Sequence, residues 1–78
     1  MIHTGELVAR MARQDSAGAR IPFSLRYYKA NGARIDVPSA TFLSLDRPSD
    51  TVLIQCPGGP RRIRLYCIMS LNGEEVYI

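Results

Sequence analysis

The 78 residues carry ten basic and seven acidic side chains, are 46% hydrophobic and 22% charged, and have a net charge of +3. That describes one globular domain over residues 1–78, excludes a disordered chain, and leaves no apolar run near the roughly 18 residues a membrane span needs. The opening MIHTGELVARMARQ has neither a basic leader nor a continuous apolar segment, so a cytoplasmic protein with no secretory signal and no membrane partner is expected.

The spacing predicts a helix over about 4–15. Thr4 is the expected N-cap and Glu6 suits the first turn, where a carboxylate meets the positive end of the helix dipole. Leu7, Val8, Met11 and Ala12 form one narrow apolar stripe, so the helix is expected to cap one end or side of a sheet. Gly18 is a stop signal, and residues 16–20 form the link.

A hairpin follows, with strands at about 21–29 and from 33 onward. Phe23, Leu25 and Tyr27 alternate with Ser24, Arg26 and Tyr28, and Ile35 and Val37 alternate with Arg34 and Asp36. A two-residue Asn31-Gly32 loop would set the first apolar row opposite the polar one. A three-residue loop, Ala30-Asn31-Gly32, pairs Tyr27 with Ile35 and Leu25 with Val37, with Gly32 at the left-handed position of a G1 bulge. The second register gathers all the apolar side chains on one face and is preferred.

Pro38 cannot donate to a ladder, so it marks a bend, a bulge or an edge within a strand reaching about residue 45. Beyond it Thr41, Leu43 and Leu45 are expected on one face, with Phe42 and Ser44 on the other. Residues 46–50 are a turn by composition. In the strand at 51–56, Val52, Ile54 and Cys56 point one way and Leu53 the other. A hairpin around Gly58-Gly59 would place Cys56 opposite Arg61. The longest strand, 61–70, has Ile63, Leu65, Cys67 and Met69 in its inward row, and Arg62, Arg64, Tyr66 and Ile68 in its outward row. A two-residue Asn72-Gly73 turn then sets Met69 against Val76 and Cys67 against Ile78 in a last strand at 74–78.

The expected fold is therefore mainly β with one N-terminal helix (α+β), a small bent antiparallel sheet or partly open barrel. Its order is similar to SH3-like and Sm-like barrels, although the glycine and acidic positions that mark the RNA-binding Sm family are not found.

An enzyme is not expected, nor a cofactor. His3 is the only imidazole and lies at the N-terminus, and Asp36, Asp46, Asp50, Glu74 and Glu75 fall in or beside turns. Pro57-Gly58-Gly59-Pro60 has no GK[ST] and no following helix to hold a phosphate. Two cysteines without CxxC, and one histidine, cannot build a tetrahedral zinc site within the chain. Buried free thiols are expected.

Binding is the remaining class. Nine of the ten cations are arginine. Arg26, Tyr28, Arg61, Arg62, Arg64 and Tyr66 form an arginine–tyrosine set that a nucleic-acid surface would use for phosphate contacts and stacking. The same residue types serve protein interfaces or a plain solvated face. Phe42, Leu53 and Ile68, expected outward beside Tyr66, are more apolar surface than one short helix covers, which points to self-association or docking into a larger assembly.

GELVARM followed by the link Asp15-x-x-Gly18, then IPFSLRYYKANG and NGEEVYI, resembles small uncharacterised proteins encoded in phage-like elements of gut Bacteroidetes. The resemblance implies no catalytic residues. It implies a small accessory or structural protein of a phage particle or mobile element. The leading expectation is thus a non-enzymatic β-rich interaction module of a phage-type assembly, with Phe42, Leu53, Tyr66 and Ile68 as its interface. The alternative is a small-barrel nucleic-acid-binding protein.

Overall fold

A computed structural model describes residues 1–77. In chain order it has β1 (Ile2–His3), α1 (Thr4–Met11), β2 (Phe23–Tyr28), β3 (Arg34–Asp46), β4 (Thr51–Cys56), β5 (Gly59–Arg64), a 3-10 turn (Leu65–Cys67), β6 (Ile68–Leu71) and β7 (Glu74–Tyr77). The strands make one open sheet in the order β1-β7-β6-β2-β3-β4-β5. It is a small, bent, mostly antiparallel sheet with one N-terminal helix, as expected. Two details differ. The sheet is mixed, because β1 runs parallel to β7, and the strand expected over 61–70 is two strands. No helix among the described residues is long and apolar enough to cross a membrane.

The added strand β1 explains why the helix starts as it does. Its extended backbone runs through His3, whose Nδ1 accepts the Gly5 N–H at 3.0 Å, so His3 and not Thr4 is the N-cap. Thr4 is buried, and its hydroxyl donates to the Tyr77 carbonyl at 2.9 Å, tying the first helical turn to β7. The helix ends at Met11, short of residue 15, because residues 13–15 pair instead with residues 19–21, the Asp15 N–H donating to the Ala19 carbonyl at 2.9 Å and the Ile21 N–H to the Arg13 carbonyl at 3.0 Å. The Asp15 carboxylate accepts the N–H groups of Ala17 and Ala19 at 2.9 and 3.0 Å, and Gly18 takes φ +85°. Leu7 and Met11 are wholly buried, and the helix packs on β1, β3 and the 3-10 turn. Each such side chain contributes about 1.5–3 kcal/mol by leaving water.

The β2–β3 hairpin has the three-residue loop. Tyr27 pairs with Ile35 and Leu25 with Val37. Lys29 N–H donates to the Ala33 carbonyl at 2.8 Å, and Gly32, at φ +86°, donates to the Lys29 carbonyl at 2.9 Å.

Pro38 sits in a bulge. The pairing steps from Leu25–Val37 to Phe23–Ala40, three positions along β3 for two along β2. That odd residue inverts the row beyond it. Phe42, expected outward, is only 8% exposed and belongs to the core, whereas Leu43, expected inward, is 45% exposed. A second slip, between Phe42–Ile54 and Ser44–Leu53, returns Leu45 to the core margin. Straight, the 13 residues of β3 would span roughly 40 Å. The molecule's long axis is 38 Å, so a straight β3 would run its whole length; the two bulges bend it instead, and it pairs with β2 over its first half and β4 over its second.

The same inversion occurs after β5. The 3-10 turn replaces a continuous strand and is fixed by the Leu65 N–H donating to the Asp50 carbonyl at 2.9 Å. Past it, Ile68, expected outward, is 4% exposed and packs in the core with Ile63, Leu65 and Leu71. The β4–β5 turn is Pro57-Gly58, so Cys56 faces Gly59 and Ile54 faces Arg61, in place of the expected Cys56–Arg61 pair. Asn72 and Gly73, at φ +52° and +80°, form the expected two-residue turn, with Leu71 opposite Glu74. The expected Cys67–Ile78 pairing lies outside the described residues. Both thiols are free; Cys56 is buried as expected, but Cys67 is only half-buried, because the 3-10 turn takes it out of the expected inward row.

Candidate functional site

Five of the six arginine–tyrosine residues meet on one surface. Arg26 and Tyr28 are exposed on β2. Strand β6 is the neighbour of β2, and the 3-10 turn leading into it carries Tyr66 and Cys67 beside the far end of β2. Arg62 and Arg64 project from β5, with Ile63 buried between them. Three hollows adjoin at Cys67. One, of about 360 Å³, lies between Arg26, Tyr28 and Tyr66. A second, of about 320 Å³, lies between Tyr28, Lys29, Arg62 and Arg64. The third opens between Thr51, Arg62, Arg64 and Tyr66. Tyr28 and Tyr66 are 45% and 59% exposed.

Arg61 is the sixth and stands apart. It shares the inward row of Ile63, and its guanidinium Nη1 donates to the Tyr27 hydroxyl at 3.0 Å. That hydrogen bond, with the electrostatic pull of Tyr27, raises the Arg61 pKa above its ordinary value.

The cations of the surface differ in how far they are already engaged. Arg26 Nε lies 2.5 Å from Asp36 Oδ1. The hydrogen bond to Arg26, foremost, and the charges of Arg26 and Arg34 hold the Asp36 carboxyl below its ordinary value, and the same pair raises Arg26. Arg62 Nη1 donates to the Thr51 hydroxyl at 3.2 Å. Arg64 and Lys29 have no ion-pair partner among the described residues. Glu75 borders the first hollow and Asp50 the third, so the surface is basic with acids at its margins.

The expected apolar interface does not come together. Phe42 and Ile68 are core residues; Leu53 is half-buried on the outward side of β4, and Tyr66 is exposed among the arginines. Leu43, which the alternation had assigned inward, stands outward beside Leu53, since Ser44 is the residue paired with Leu53. The bulge signal for this was Pro38 itself. Tyr77 is exposed and meets His3 edge-on, ring centroids 5.2 Å apart.

The outer edge of β5 is poorly suited to pairing with another strand. Counting back from the Leu65–Asp50 bond, the backbone groups that face this edge belong to Arg64, Arg62 and Pro60. Proline lacks the N–H, and the arginines bring like charges to any second copy.

His3 Nδ1 is occupied by the helix cap, and no group of three His, Cys, Asp or Glu side chains among the described residues is placed to hold a metal ion. No family model matches the chain, and comparison with curated proteins and with solved structures returns no match.

Proposed function

We propose that this chain is a non-enzymatic binding module that takes nucleic acid on the arginine–tyrosine surface around Cys67. One observation carries the reading. Side chains from β2, from β5 and from the 3-10 turn, far apart in sequence, line adjoining hollows, with Arg64 and Lys29 unpaired and two tyrosine rings exposed. The free Arg64 guanidinium and Lys29 ammonium supply phosphate contacts, and exposed rings supply faces for bases. Packing Phe42 and Ile68 into the core removes half of the apolar interface on which the competing reading relied.

Thiol protection tests it. Cys67 is half-buried and borders all three hollows, whereas Cys56 is buried and serves as an internal control. Bound oligonucleotide is expected to slow alkylation of Cys67 by iodoacetamide and leave Cys56 unreactive. An unchanged Cys67 rate at saturating oligonucleotide removes the reading.

A second reading keeps the chain in a protein assembly, by self-association or within a larger phage-type particle, as the family resemblance implies. What favours it is the outward pair Leu43 and Leu53 on β3 and β4. It predicts oligomers that persist in high salt, because apolar burial is not screened.

A further inference from the structure

Each exposed tyrosine of the surface is preceded two residues earlier by an arginine. Arg26-Tyr27-Tyr28 on β2 and Arg64-Leu65-Tyr66 at the end of β5 repeat one unit, a cation and a ring with a buried residue between them. The two units meet at Cys67. They are not equivalent. Arg26 is held by Asp36, whereas Arg64 has no carboxylate partner among the described residues, and Tyr66 is the more exposed ring.

We infer that the surface is a two-nucleotide site for single-stranded nucleic acid, in which Tyr66 and Tyr28 each stack one base and Arg64 and Arg26 serve the adjoining phosphates. The Arg64–Tyr66 half is the stronger, and Asp36 restrains the other. This rests on the nucleic-acid reading and adds strandedness and order to it. In a duplex both faces of a base are covered by its neighbours, so a ring can stack only on a base that is splayed out. The two hollows that Tyr28 lines, one of them shared with Tyr66, are about 320 and 360 Å³, which is ligand size.

The experiment is fluorescence anisotropy with a labelled oligothymidine, with the same strand paired to its complement as competitor, on the wild-type chain and on Tyr66→Leu, Tyr66→Phe and Asp36→Asn. Tyr66 and Asp36 are exposed, so the folded chain tolerates these changes. The single strand is expected to bind better than the duplex. Tyr66→Leu should weaken it by roughly tenfold, the scale of one base–aromatic stack, and Tyr66→Phe should restore it. Asp36→Asn should tighten binding by freeing Arg26. Equal or stronger binding of the duplex, or a Tyr66→Leu variant that binds as the wild type does, overturns the two-nucleotide site while leaving nucleic-acid binding intact. Binding of neither form overturns both.

Discussion

The Arg61 guanidinium donates to the Tyr27 hydroxyl at 3.0 Å, joining the edge strand β5 to β2, three places away in the sheet order. These strands are not neighbours in the sheet, so this bond and the core beneath it bring Arg62 and Arg64 to the same surface as Arg26 and Tyr28. Tyr27→Phe removes the hydroxyl and keeps the buried ring. It is expected to lower the thermal midpoint slightly, as is Arg61→Ala, and the double variant should lose no more than the larger single loss. Additive losses in that cycle would show the two groups to be independent. Arg61→Ala should leave the salt dependence of oligonucleotide affinity nearly unchanged, because its guanidinium is turned to the Tyr27 hydroxyl and lines none of the three hollows at Cys67.

The inverted rows after the two irregularities make a sharp prediction about stability. Phe42→Ala should cost about 3–5 kcal/mol and Ile68→Ala about 2–5 kcal/mol, the scale of emptying a core position. Leu43→Ala should stay within about 0.5 kcal/mol, as exposed positions do. Urea unfolding measures all three. The pattern expected from uninterrupted alternation is the reverse, with Leu43 costly and Phe42 and Ile68 tolerant.

His3 gives a third test. Its ring nitrogen caps the helix by accepting the Gly5 N–H at 3.0 Å. His3→Ala should lose about 1 kcal/mol, and His3→Asn should restore most of it, since the asparagine oxygen accepts from the same turn. Thr4→Ala should also destabilise, by loss of the bond to the Tyr77 carbonyl. Its mark is different. Amide exchange should quicken in β7, where His3→Ala is expected to loosen the first turn of α1.

Asp36 predicts a pH dependence with a definite sign. Its carboxyl is held below the ordinary value of 3.8 by Arg26. A depressed carboxylate contributes stability that is fully present above the unfolded value and is lost as the pH falls through the folded one. The contribution is small because the pair is exposed. In an NMR titration the Asp36 carboxyl should have a midpoint below that of an ordinary aspartate, and Arg26→Ala should return it toward the ordinary value.

Local signals in the sequence were enough for much of this architecture. Gly32 and the row Phe23, Leu25, Tyr27 dictated the first hairpin's register, and Asn72-Gly73 dictated the last turn, since both are chemistry at fixed offsets. Phase was lost wherever one extra residue entered a strand. Pro38 announces an irregularity but not its size, and nothing within Arg64–Met69 announces a 3-10 turn, because its hold on the chain is the distant Asp50 carbonyl. The helix length was misjudged for a local reason, the pairing of Gln14 with Arg20 that takes residues 13–15 out of the helix. The short β1 is legible only through its partner β7, more than seventy residues away. The arginine–tyrosine residues could be named from their alternation. That Arg61 turns inward to Tyr27, and that Asp36 occupies Arg26, are relations of space that composition does not encode.

The central proposal is that Arg26, Lys29, Arg62 and Arg64, which line the hollows at Cys67, neutralise phosphates. The direct measurement is the slope of log affinity against log salt concentration for a single-stranded oligonucleotide, compared between the wild-type chain and an Arg62→Ala, Arg64→Ala double variant. Four contacts predict a slope of about −3, and removal of two predicts about −1.4, with weaker binding at every salt concentration. A wild-type slope near zero, or a slope that the double variant leaves unchanged, would contradict the proposal.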